Sequence, residues 1–237
     1  MKTSSNISVT TLTVGPIQAC CYIVTAASQG TGKGTKGANQ AFLIDPGGDG
    51  QEIVSLLKKR NLDPLYLINT HGHIDHIGAN QDIKKSYPDT TICIHQDDAR
   101  MLTSASANLS PELGYQFTSP AADKFLNEGD VLSINNNTLT LKVIHLPGHT
   151  RGGIGLLYEP SGESNPVLFT GDTLFAGGVG RTDFPGGSMK QLIDNIKLKI
   201  LTLPDDTLIY PGHGPASTVG DEKAHNQFLA GSGWMDE

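Results

Sequence analysis

A chain of 237 residues is longer than a typical domain yet suits one α/β sandwich with a sizeable core, so a single domain over 1–237 is expected. The 17 Lys and Arg against 24 Asp and Glu leave a net charge of −7, which argues against a nucleic-acid partner. No apolar run reaches membrane-spanning length and the N-terminus leads into an alternating strand, so a cytoplasmic protein with no membrane partner is expected. Cys20, Cys21 and Cys93 fall on expected strands as reduced core thiols, an odd count that makes a disulfide scaffold a poor fit.

In chain order, Ile7–Val14 and residues 20–26 read as a hairpin turning near Gly15-Pro16, with residues 41–45 as the next strand. Between them, 28–39 reads as a flexible insertion. Its Gly32-Lys33-Gly34-Thr35-Lys36-Gly37 has the letters of a dinucleotide fingerprint, but a strand follows instead of a helix able to receive a pyrophosphate. Residues 51–61 place Ile53, Leu56 and Leu57 at helical spacing, with Lys58, Lys59 and Arg60 in the last turn. A strand at 65–69, a helix near 77–86, the strand Thr91–His95 and a helix starting at Gln96 come next. The Ser/Ala-rich stretch within 103–122 reads as a mobile loop over the site. Strands at Val131–Ile134, 139–144, Ile154–Tyr158, 167–170 and 207–210, with helices near 188–201 and 221–230, suggest two packed sheets flanked by helices.

Where the strand Leu65-Tyr66-Leu67-Ile68 ends, Thr70-His71-Gly72-His73-Ile74-Asp75-His76 packs three imidazoles and a carboxylate into six positions. A strand end followed by glycine lets alternate side chains converge on one point, and imidazole with carboxylate suits zinc, iron or manganese. Three further segments each follow a short apolar stretch and set one donor beside glycine: Leu146-Pro147-Gly148-His149, Phe169-Thr170-Gly171-Asp172 and Tyr210-Pro211-Gly212-His213. The candidates are therefore His71, His73, Asp75, His76, His149, Asp172 and His213, too many for one ion. Two ions about 3.5 to 4 Å apart can use all seven if one carboxylate bridges them. There is no G-x-S-x-G elbow and no cysteine beside a motif histidine, so the nucleophile is expected to be water, its pKa lowered from about 15.7 toward about 7 by divalent cations.

The His-x-His-x-Asp-His signature followed by single His, Asp and His resembles the metallo-β-lactamase superfamily over roughly residues 7 to 230. That resemblance implies an αβ/βα four-layer sandwich of two mixed sheets flanked by helices. It assigns His71, His73 and His149 to one metal and Asp75, His76 and His213 to a second, with Asp172 bridging. Gly171-Asp172-Thr173-Leu174-Phe175 and Gly180-Arg181-Thr182-Asp183-Phe184-Pro185 resemble the glyoxalase II group of hydroxyacylglutathione hydrolases, above all its short bacterial members.

By that likeness the expected activity is metal-dependent hydrolysis of S-lactoylglutathione or a related acyl thioester, with two divalent ions, zinc first and iron or manganese also compatible. The expected partner is a small, glutathione-derived thioester. Asp75 would orient the attacking hydroxide as well as ligate. Arg181 would pair a glycyl carboxylate with its guanidinium fork, the alternative being an ion pair with Asp183 that rigidifies the loop. Persulfide dioxygenases resemble the same frame, with one iron on His71, His149 and Asp172, and a noncatalytic metal-stabilised binding module is a third reading. His95 and His225 read as ordinary polar residues, and His145 as a strand-end group or a partner behind a ligand.

Overall fold

Strands that are apolar on both faces demand cover on both faces, and the chain answers with two six-stranded sheets between helices. The computed structural model describes residues 7–27, 39–162 and 164–229. The insertion expected at 28–39 lies, apart from Asn39, outside the described residues.

The first sheet runs in the order β1 (Ile7–Val14), β2 (Ala19–Ala26), β3 (Gln40–Ile44), β4 (Asp63–Ile68), β5 (Thr91–His95) and β6 (Lys124–Leu126). The hairpin half is antiparallel, and β3 through β6 are parallel. In the second sheet the order is β14 (Ser217–Thr218), β13 (Leu208–Pro211), β10 (Val167–Gly171), β9 (Ile154–Tyr158), β8 (Leu139–His145) and β7 (Val131–Ile134), with only the β10–β13 pair parallel. A two-stranded ribbon, β11 (Leu174–Phe175) and β12 (Gly178–Val179), stands apart from both. Asn135, Asn136 and Asn137 all take positive φ in the β7–β8 turn, a conformation asparagine tolerates better than most side chains.

Alternation along each strand distributes the core into three layers. Phe42, Ile44, Ile68 and Cys93 point between the sheets and meet Val143, Leu156 and Phe169. Their neighbours Ala41, Leu43, Leu67 and Ile92 face outward, against Ile53, Val54 and Leu57 of α1 (Gly50–Lys59) and Ile83 of α3 (Asn80–Ser86). On the far side, Leu157, Leu168 and Ile209 are covered by Leu192 of α6 (Met189–Asn195) and by Ile196 and Ile200 just beyond it. The result is the four-layer αβ/βα arrangement of the metallo-β-lactamase fold.

Several expected helices are interrupted for local reasons. The one placed at 77–86 is two pieces, α2 (Ile74–Ile77) and α3, because the Ala79 N–H leaves the helical ladder to bond Pro46 O at 2.8 Å. The helix expected from Gln96 is a 3₁₀ turn followed by α4 (Ala99–Thr103) and α5 (Ala105–Asn108), so residues 103–122, read as a loop, begin with helix. The helix at 188–201 relaxes into a π turn over Ile196–Ile200, and α7 (Val219–His225) ends where Asn226 turns extended. Two backbone contacts bring the sheets together where their strands end: Cys20 N–H donates to Gly212 O at 2.7 Å and Ile154 N–H to Thr70 O at 2.9 Å.

Candidate metal centre

All seven donor side chains meet at that seam. His71, His73, Asp75 and His76 come from the loop after β4 and the start of α2, in the first sheet. His149 follows β8, Asp172 follows β10 and His213 follows β13, in the second. Ligand atoms of His71, His73 and His149 lie within 4.8 Å of one another, and the same holds for Asp75, His76 and His213 and for His71, His76 and Asp172. Asp172 thus faces both groups, with Oδ1 3.4 Å from His76 Nε2 and Oδ2 3.6 Å from both His149 Nε2 and His213 Nε2.

Glycines make the convergence possible. A Cβ at Gly212 would collide with Asp172 Oδ1, and Gly148, at φ 146°, presses so close to Leu192 of α6 that no side chain fits.

Three of the five imidazoles are oriented by a bond on the far side of the ring, while His73 Nδ1 faces His149 Nε2 at 2.9 Å. His149 Nδ1 donates to Arg181 O at 2.7 Å, and His76 Nδ1 lies 3.0 Å from Asp45 Oδ2, which leaves Nε2 of both rings turned to the centre. Thr70 Oγ1 sits 3.2 Å from His71 Nδ1, with the same effect.

The charge states of the two groups differ. Burial, then the neighbouring imidazoles, hold His71 well below its ordinary pKa and pull His73 down to about 3, so both keep a free lone pair. Burial alone would also lower His76, but Asp172, Asp75 and Asp45 outweigh it and raise it to about 10. His213 is likewise raised, its burial overcome by the bond to Asp75. Asp75, despite burial, is held well below the usual carboxylate range by His76 and His213.

Whether these residues suit metal ions is tested by the polar atoms left over. His71 Nε2, His76 Nε2 and Asp172 Oδ1 are buried without a hydrogen-bond partner, one in each donor group and one between. Buried donors left unsatisfied at one point, in an all-imidazole and carboxylate set, fit a pair of divalent cations.

Beside the donors opens a cavity of about 480 Å³, lined by Ile17, Ile74, Leu109, Glu112, Leu113, Phe175, Val179, Arg181 and Phe184. Arg181 is at the wall, and its fork closes on Asp183, the alternative pairing, Nε to Oδ1 at 2.7 Å and Nη2 to Oδ2 at 2.6 Å. Its guanidinium also lies over Phe184, 4.0 Å from the ring centre. His145 stacks on His95 at 4.1 Å and pairs with Arg151 O, the two rings forming with Asp97 a separate group of possible ligands, and His225 bonds Asp221 O on its own helix.

Two acids were missing from the sequence reading. Asp45, at φ 50° and fully buried, accepts from Thr70 N and Thr70 Oγ1 as well as facing His76. Asp98 accepts from Thr150 Oγ1 at 2.7 Å and Gly152 N at 2.8 Å, anchoring the loop that carries His149. Asp45-Pro46-Gly47 follows an apolar strand just as the recognised donors do, so the same pattern marks it; nothing local marks Asp98.

A sequence profile described as the metallo-beta-lactamase superfamily matches residues 35–213. The probable metallo-hydrolase YqgX of Bacillus subtilis is 36% identical over 219 residues, 92% of this chain and 95% of that one. Hydroxyacylglutathione hydrolase GloC of Haemophilus influenzae is 37% identical, covering 80% of this chain and 87% of its own. Among solved structures, BLEG-1 B3 metallo-beta-lactamase superposes with a TM-score of 0.83 at 34% identity, over 94% of this chain and all of that one. TTHA1623 in a di-iron-bound form gives 0.76 at 34%, over 93% of this chain and all of its own. ETHE1 from Myxococcus xanthus gives 0.70 at 26%, over 93% and 83%.

Proposed function

The chain belongs to the metallo-β-lactamase superfamily, and from that premise we propose that it is a two-metal hydrolase of acyl thioesters, S-lactoylglutathione or a related compound. The observation that carries this reading is the set of orphaned buried atoms, His71 Nε2, His76 Nε2 and Asp172 Oδ1, beside a cavity large enough for a small acyl thiol. His71, His73 and His149 would hold one ion, Asp75, His76 and His213 the other, and Asp172 would bridge. When bound, two divalent ions supply an acidified water and positive charge for the oxygen of a reacting carbonyl, with zinc first and iron or manganese also suited.

The chain's own residues do the rest. Asp75, ionised throughout the working pH range, offers a carboxylate that orients the attacking water. Water adds to the acyl carbon, the carbon–sulfur bond breaks, and the thiolate, a good leaving group, departs without needing a strong acid. Phe184, 5.5 Å from the His73 ring, shields that side of the centre from solvent.

A one-iron persulfide dioxygenase on His71, His149 and Asp172 is the second reading, favoured by the 3.6 Å approach of His149 Nε2 to Asp172 Oδ2. It stands second because it leaves the converging Asp75, His76 and His213 without an ion.

Elemental analysis of the purified protein, paired with two assays, tests the choice. Two metal equivalents and thiol release from acyl thioesters without oxygen are expected. Oxygen-dependent sulfite from glutathione persulfide, with no thioester cleavage, would overturn the hydrolase.

A further inference from the structure

Beyond the donors, the cavity wall is apolar: Ile17, Leu109, Leu113, Phe175, Val179 and Phe184 face it, and Glu112 and Arg181 are its charged members. Arg181 is the one cation there other than histidine among the described residues, and Asp183 lies against it in a two-point ion pair. That pair is exposed, with side chains 61% and 66% accessible, and its two-point contact offsets part of the arginine's field toward an incoming anion. Glu112 then leaves the outer wall with negative charge. A glutathione thioester brings two carboxylates and one ammonium, a net negative arm, to a wall whose one non-histidine cation among the described residues is partly compensated and which carries a carboxylate.

The apolar groups are held in place and are not incidental surface. Leu109 takes φ 66°, a strained value for a branched side chain, fixed by Asn108 Oδ1 accepting from Ser110 N and Ser110 Oγ accepting from Phe117 N, both at 3.0 Å. Phe175 and Val179 belong to the β11–β12 ribbon, which α7 ties down through Glu222 Oε2 accepting from Gly177 N and Asn226 Nδ2 donating to Gly178 O, each at 3.0 Å. Ile17 and Leu113 remain 41% and 39% exposed at the rim.

We propose that the site selects thioesters with an apolar acyl chain and an uncharged thiol arm, and discriminates against the charged glutathione arm. This rests on the hydrolase reading above and chooses between its two substrate options. The metal pair acts at the scissile bond; the outer wall, several residues from the donors, decides which arm is accepted. Each methylene buried on that wall strengthens binding roughly fourfold.

The test uses the metal-loaded full chain. Thiol release from S-butanoyl and S-hexanoyl N-acetylcysteamine is compared with release from S-lactoylglutathione, and calorimetry compares the inert thioethers S-hexyl-N-acetylcysteamine and S-hexylglutathione. The neutral thioesters are expected to exceed the glutathione ester in kcat/KM by about tenfold or more, rising with acyl length, and the neutral thioether to bind about tenfold tighter. Leu113→Lys, at the exposed rim, should narrow both ratios without changing metal content. Equal or preferred use of the glutathione compounds by the unsubstituted chain overturns the proposal. If no thioester is cleaved by the loaded protein, the hydrolase reading falls, while the thioether affinities still decide the nature of the wall.

Discussion

The two donor groups touch, yet they are built from opposite materials. His71, His73 and His149 are all imidazole and nearly sealed, at 1, 6 and 4% exposure. Asp75, His76 and His213 mix carboxylate with imidazole, and the His213 side chain is a quarter exposed. In the first group, burial has already left His71 and His73 uncharged, so a cation there displaces no imidazolium proton. In the second, the surrounding carboxylates raise the pKa of His76 and His213, so protons compete there with a metal for the ring nitrogens. Neighbouring groups of different composition therefore differ in how metal capture is linked to pH.

The strongest blow to this contrast is removal of the residue both groups share. Asp172→Ala should lose both ions and lower kcat/KM roughly a thousandfold or more; retention of two metal equivalents by elemental analysis would deny Asp172 its bridging place. A milder cut separates the groups. Asp45→Asn, which weakens the acceptor behind His76, should lower affinity at the second group by about 10- to 100-fold and disturb the first less, through Thr70 and His71, read by stepwise competition with a chromophoric chelator.

The smallest effect is the pH profile of metal retention. A ring whose pKa is raised must surrender a proton to ligate, so occupancy of the His76 group should climb with pH toward about 10 and fall away in mild acid. His73, at about 3, adds no such dependence above pH 4. Dialysis at pH 5.5 and pH 8 should leave one ion and two ions respectively; parallel loss of both would erase the distinction.

Much of this is legible in the sequence because the signals are local. Ile7–Val14, Thr91–His95, Val131–Ile134 and Ile154–Tyr158 are found at their expected bounds, since each is a short apolar or alternating run between turn residues. The donors are legible because each of their segments follows an apolar strand and carries a glycine. What escapes is set by distant partners. β6 exists because β5 pairs with it, and Lys124-Phe125-Leu126 is too short to announce itself. Asp98 acts across 52 residues of chain on Thr150, and the break before α3 depends on a carbonyl at Pro46. Arg181 is instructive in another way: the sequence draws the eye to its guanidinium, whereas it is its backbone oxygen that steadies His149.

The segments that shape the cavity wall, Leu109 to Leu113 and the β11–β12 ribbon, contribute none of the seven donors. Chemistry and taste are thus written on separate stretches of chain. A lineage can rewrite one vestibule loop, inherit a working reactor intact, and so acquire a new diet by a handful of mutations instead of inventing an enzyme afresh.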